Sequence, residues 1–247
     1  MNPFDDLRGK VVLITGGTRG LGLAMARGFA DMGSDVIVSS RKADACEQVA
    51  AELRAKGVRS VGIAAHVGYW DQVDALAEAA WQAFGRIDVL INNAGMSPLA
   101  PSSVATPEAL FDKIVDVNFK GPFRLTSLIG TRMAAAGGGS IINISSIGAQ
   151  SPHPSIGPYA GAKAALNAAS IAFAREYGPS VRVNVISPGS FLTDVADEWR
   201  DRKDLTDRIA LKRFGEATEI VATALYLASS ASSYTTAANI RVDGCTL

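Results

Sequence analysis

VVLITGGTRGLG (11–22) joins a short β-branched run to a helical pattern through a turn with glycines at 16, 20 and 22. VVLIT (11–15) reads as a buried strand, and the pattern from Gly20 to Met32 as the helix that follows it. Glycines in such a turn let backbone amides approach a pyrophosphate at the positive end of a helix. The candidate cradle is Gly16, Thr18, Arg19, Gly20, Leu21 and Gly22. No GK[ST] follows, so the turn is not a P-loop and nucleotide hydrolysis lacks its lysine and magnesium hydroxyl.

Outward from this turn the same alternation repeats. Strand-like DVIVS (35–39), SVGIAA (60–65), DVLIN (88–92), SIINIS (140–145), VRVNVIS (181–187) and NIRVDG (239–244) are separated by helical patterns. Those patterns cover 43–56, 70–84, 107–135, 158–177 and 216–228. Near-continuous apolar strands suit a parallel sheet covered on both faces, and strict alternation requires crossover connections. The expectation is one doubly wound α/β domain over 1–247, a Rossmann-type parallel sheet of about seven strands. The segment 190–213 departs from the pattern. It contains DEWRDRKD (197–204), seven of eight residues charged, and reads as a substrate lid or as a plain surface helix.

Composition bounds the function. Of 247 residues 48% are hydrophobic and 19% charged, enough for a sizeable core. The 24 basic and 24 acidic residues cancel, which gives no field for nucleic acid or an anionic membrane. Two cysteines make no disulfide framework, and no clustered Cys/His or HExxH motif offers a metal site. MNPFDDLRGK (1–10) lacks the character of a signal peptide, and no apolar run is long enough to span a bilayer. A cytoplasmic protein is expected.

NNAG (92–95) ends the fourth strand, Asn118 lies in the long helix, Ser146 precedes Tyr159-Ala-Gly-Ala-Lys163, and Pro188-Gly189 follows the sixth strand. With TGxxxGxG, this order resembles the short-chain dehydrogenase/reductase family over nearly the whole chain. Among its members the chain is similar to bacterial 3-oxoacyl-carrier-protein reductases, and also to sugar, polyol and small-ketone enzymes. The resemblance implies a hydride transfer between NADP(H) and a ketone or secondary alcohol. It adds Asn93, Ala94, Gly95, Pro188, Gly189 and Thr193 to the cofactor contacts, Thr193 toward the carboxamide or a phosphate.

The second strand leads into Ser39-Ser40-Arg41, where an NAD site would place an acid on the ribose hydroxyls. No carboxylate there repels a 2′-phosphate, and Arg41, joined by Arg19, can bind one. The resemblance accordingly implies NADP(H). At the third strand the family usually shows Asp-Val, the Asp accepting from the adenine amino group; this chain has His66-Val67. His66 either contacts adenine or merely packs, and the Val67 backbone remains available to the base.

Tyr159 and Lys163 stand at i and i+4 on one helix face. The ammonium, together with an oxidised nicotinamide, would favour phenolate and lower the phenol toward neutral pH. Ser146 is the expected donor to the substrate oxygen, and Ser145 points to the other side if the strand persists. Pro122 lacks an amide hydrogen, so the Asn118 carbonyl loses its usual partner four residues on. In the family this Asn backbone holds a water linking the lysine to solvent. Lys163 is also expected to hold the nicotinamide ribose. His153, in the loop before Tyr159, is a weaker candidate for substrate contact.

A non-catalytic NADP(H)-binding sensor would keep the glycine turn but has no need of the set Asn118, Ser146, Tyr159 and Lys163. Carrier-protein reductases dock an acidic partner on basic helix ends; here those ends read MAAAGGG and EYGPS, with Arg132 and Arg182 nearest, which weakens that option. A small-molecule carbonyl or alcohol substrate is the better expectation. Small residues crowd the helices of Asn118 and Tyr159, with eight Ala and one Gly in 160–174, and with the family's habit they imply a homotetramer.

Overall fold

The computed structural model describes residues 3–193 and 201–246. The first half of the chain alternates β1 (Val11–Thr15), α1 (Gly20–Asp31), β2 (Asp35–Ser40), α2 (Ala43–Ala55), β3 (Ser60–Ala64), α3 (Trp70–Phe84) and β4 (Val89–Asn92). The expected long helix follows in two parts, α4 (Glu108–Val115) and α5 (Gly121–Ala135), and then come β5 (Gly139–Ile144), α6 (Gly157–Tyr177) and β6 (Val181–Pro188). The two-residue strands β7 (Phe191–Leu192) and β8 (Gly215–Glu216) flank the short α7 (Lys203–Thr206). Helix α8 (Val221–Ala228) and β9 (Asn239–Val242) complete the order.

All seven strands expected from the sequence lie in one sheet, ordered β3-β2-β1-β4-β5-β6-β9, and every pairing is parallel. Alternate residues of each strand enter opposite cores. Val12 and Ile14 meet Met25 and Phe29 of α1 and Leu227 of α8, while Val11 and Leu13 share the other core with Leu76, Leu125 and Phe173. Both faces are apolar because both are covered, which is why the strands read as unbroken hydrophobic runs. The covering helices show the matching period: α2 buries Cys46, Val49, Ala50 and Leu53, and α3 buries Val73, Leu76, Ala77 and Ala80.

The order reverses between β1 and β4, whose carboxyl ends therefore open a crevice at the switch point. Two features bear on that crevice. The long helix is interrupted by a π turn over Asp116–Lys120, in which the Gly121 amide donates to the Asp116 carbonyl five residues back. Pro122 is the physical reason, since it cannot supply the amide that an α-helix requires at that place. The lid expected over 190–213 falls partly on 194–200, outside the described residues; of the remainder, β7 pairs with β8 and Arg202 pairs with Asp204. Among the described residues no helix is long and apolar enough to cross a membrane.

Candidate active site

A cavity of about 540 Å³ lies along the carboxyl ends of the strands. Its floor is built where β1 meets β4. The Thr15 hydroxyl accepts from the amides of Asn93 and Ala94, each at 3.1 Å, and the Asn93 side chain donates to the carbonyls of Thr15 (3.0 Å) and Gly16 (3.1 Å). TGG and NNAG, far apart in the chain, thus form one surface. Gly22 lies beneath it, where a Cβ would come within 2.2 Å of the Gly16 carbonyl oxygen. Its role is to let α1 start directly under the turn, and it does not line the cavity.

Helix α1 opens at Gly20 with no side-chain cap on its first turn, so those amides are free to meet an anion. Thr18, Arg19 and Leu21 line the cavity with them, and Thr193 closes this part from above, its methyl side facing Gly20. At the end of β2, Ser40 and Arg41 line the same space. Arg19 and Arg41 are exposed, and no ion pair engages either among the described residues. Beside them the Ser39 hydroxyl is buried without a partner. Uncapped amides, unpaired guanidinium groups and an orphan hydroxyl form a donor set suited to a phosphorylated dinucleotide. His66 and Val67 line the neighbouring stretch, joined from α4 by Lys113. The sequence reading missed Lys113: a lysine on an exposed helix face carries no local mark of the cavity it faces.

The far end holds Ser145, Ser146, Tyr159 and Lys163. The Ser146 hydroxyl accepts from the Gly148 amide at 3.0 Å and lies beside the Tyr159 ring around Gly148. Ser145 instead turns its hydroxyl to the Lys163 carbonyl at 3.4 Å. The strand's alternation thus separates the two serines, and Ser146 is the one beside the phenol. Lys163 is 2% exposed and donates from Nζ to the Ile144 carbonyl at 2.8 Å. Burial pushes the ammonium down to about 8.

Burial raises Tyr159 above its ordinary value, and the nearby Ser146 side chain offsets this only in part. The ammonium expected to lower it lies 5.9 Å from the ring centroid and is engaged with Ile144, so desolvation is the larger effect.

Asn118 is fully buried and does not line the cavity. Its side chain clamps the loop after β4, donating to the Met96 carbonyl (2.8 Å) and the Ile114 carbonyl (2.9 Å) and accepting from the Met96 amide (3.2 Å). Gly95 sits between its Oδ1 and Lys163 Nζ, which a Cβ there would approach at 3.0 and 3.6 Å. Gly121, in turn, brings the broken helix against the segment that follows β3, since a Cβ would lie 1.9 Å from the Val67 carbonyl oxygen.

Pro188 lines the cavity, whereas Gly189 lies behind it against Asp243. His153 does not line the cavity among the described residues: its Nδ1 caps the turn at Pro154–Ile156, meeting Ser155 Oγ at 2.8 Å and accepting from the Ser155 amide at 3.2 Å. Arg132 is held by Glu78 and lies over Trp81, and Arg182 donates to Ser232 and to the carbonyls of Ser229 and Thr235.

A family model described as short chain dehydrogenase matches residues 10–204. Dehydrogenase/reductase SDR family member 4 of Bos taurus is 38% identical over 251 residues, an alignment covering 100% of this chain and 89% of the relative. The protein of the same description from Homo sapiens is 34% identical and the coverage is 100% and 90%. The solved structure of a short-chain type dehydrogenase/reductase from Mycobacterium marinum superposes with a TM-score of 0.91 at 33% identity, over 98% of this chain and 96% of that one.

Proposed function

The chain belongs to the short-chain dehydrogenase/reductase family, oxidoreductases that work with a nicotinamide cofactor, and on that premise we propose that it interconverts a small ketone and a secondary alcohol using NADP(H). The observation that carries this reading is the meeting of Ser146, Tyr159 and Lys163 at one end of the cavity whose other end presents Arg19 and Arg41. A sensor has no use for the first group.

When bound, the nicotinamide gives or receives the hydride. Ser146 holds the substrate oxygen, and the Tyr159 phenol passes its proton to that oxygen in reduction. Burial favours the protonated phenol, which suits proton donation at neutral pH. Lys163, with its value near 8, returns a proton to the phenol, and the Asn118 carbonyl in the opened helix links the lysine to solvent through water. Arg19, Ser40 and Arg41 hold the 2′-phosphate, and among the described residues no carboxylate lines the cavity to oppose it.

Assembly as a homotetramer is supported by exposed apolar side chains on the same helices: Phe111 (48% exposed) on α4, Phe123 (38%) on α5 and Ile171 (43%) on α6. Light scattering should then read four times the 25.7 kDa chain mass, and a stable monomer overturns it. The test of the activity is a panel of small ketones with NADPH and with NADH, followed by loss of reduced-nicotinamide absorbance. Turnover of several ketones with NADPH is expected. Tight NADPH binding with no turnover across the panel would instead favour the sensor.

A further inference from the structure

Helix α4 and the π turn run along the segment that follows β3. A Cβ on Gly121 would lie 1.9 Å from the Val67 carbonyl oxygen, and one on Gly68 would meet Val117 at 3.1 Å. Lys113 stands one helical turn before Val117, and both line the cavity. Lys113 is exposed and, among the described residues, makes no hydrogen bond or ion pair. Its acidic neighbours in the chain leave it so. Asp116 is taken by Lys120 at 2.6 Å, and neither Asp112 nor Asp116 lines the cavity.

Three elements therefore each bring one unpaired cation to the cavity: Arg19 from the turn after β1, Arg41 from the end of β2 and Lys113 from α4. Among the described residues no carboxylate lines it. A cleft lined by charge of one sign concentrates its field and speeds the arrival of an opposite ion. The chain as a whole is neutral, with 24 basic and 24 acidic residues, so this attraction is local to the cavity. Lysine suits such a task. Its ammonium is a point charge on a flexible four-carbon stem, and attraction at a distance needs proximity without a fixed geometry.

We propose that Lys113 is a steering residue, whose charge draws the phosphates of the dinucleotide into the cavity and so favours entry of NADP(H) over NAD(H). A phosphate monoester carries about 1.5 to 2 negative charges near neutral pH, so the 2′-phosphate makes the pull on NADP(H) the stronger. The proposal rests on the NADP(H) reading above and deepens it.

The test measures association and dissociation rate constants of NADPH and NADH by stopped-flow fluorescence at low and high salt. At low salt Lys113→Gln should slow association of NADPH about fourfold and of NADH about twofold, and Lys113→Glu should roughly square both factors. Dissociation should change less than about twofold. At about 0.5 M salt, where the screening length falls to about 4 Å, wild type and variants should converge. Arg175→Gln removes the same charge from the exposed last turn of α6, at the end of the sheet where β6 begins, and should associate as wild type does. A Lys113→Gln variant that associates at the wild-type rate in low salt overturns the proposal, as does a deficit that persists at high salt. Equal slowing by Arg175→Gln, an effect of net charge alone, overturns it too. Each of these outcomes leaves the cofactor reading intact. Failure of wild type to bind either dinucleotide overturns that reading, and this inference with it.

Discussion

At the β2 end of the cavity Arg19 and Arg41 stand exposed, without an ion pair among the described residues, whereas at the β5 end Lys163 and Asn118 are buried and their side-chain polar atoms are committed to Ile144, Met96 and Ile114. The exposed end owes little to the fold and the fold owes little to it. The buried end is continuous with the core: next to Lys163, Asn143 bonds both Asn92 and Ser170 inside the sheet–helix interface. Selectivity can therefore be altered at one end without disturbing folding. Changes at the other end alter chemistry and stability together.

Tyr159→Phe probes that contrast most severely. It deletes one hydroxyl and keeps the ring, so turnover should fall by roughly 10²–10⁴ while NADPH affinity stays within a few-fold. Single-turnover and binding measurements read the two separately. A variant retaining more than about a tenth of wild-type chemistry would assign the proton to another group.

Lys163 gives the next largest effect, in stability. Unfolded, its ammonium titrates at 10.5, and burial lowers this to about 8 in the fold. Below the folded value both states hold the proton and burying it is a fixed cost. Between the two values only the unfolded state is protonated, so native stability rises with pH across that window. From about pH 7.5 to 9.5, wild type should gain about 2 kcal/mol in unfolding free energy relative to Lys163→Met, measured by urea titration. Parallel pH profiles for the two proteins would show that the ammonium is not desolvated.

The smallest effect belongs to the exposed end. Ser40→Asp with Arg41→Ala should move the NADPH/NADH affinity ratio about tenfold or more toward NADH, worth about 1.4 kcal/mol. The melting temperature should barely change. A large loss of stability here would break the contrast between the two ends.

These ends also differ in how far the sequence discloses them. Strands, order and glycine turn are legible because they are written in short-range patterns: VVLIT, the spacing of Gly16, Gly20 and Gly22, and Tyr159 four residues before Lys163. The π turn is legible from Pro122, a local cause. The clamp made by the Asn118 side chain is not, since it depends on Met96 arriving from the end of another strand. Lys113 escapes notice for the same reason, and so does Gly121, whose need for a missing Cβ appears only when Val67 is brought against it. The burial that raises Tyr159 is not legible either, because adjacency on a helix specifies a neighbour and says nothing of how much water the fold removes.

Thr15 has a consequence of its own. Its hydroxyl receives two amides from the loop after β4 and reaches the Ile91 carbonyl at 3.4 Å, while its carbonyl receives the Asn93 side chain. Neither loop can open alone without stranding donors that the other satisfies. The two loops should behave in amide exchange as a single cooperative unit although Thr15 and Asn93 are 78 positions apart in the chain. The platform under a bound dinucleotide is thus ordered before any ligand arrives. Little conformational entropy is left to lose on binding, so affinity at this site reflects the contacts made more than the ordering of the chain.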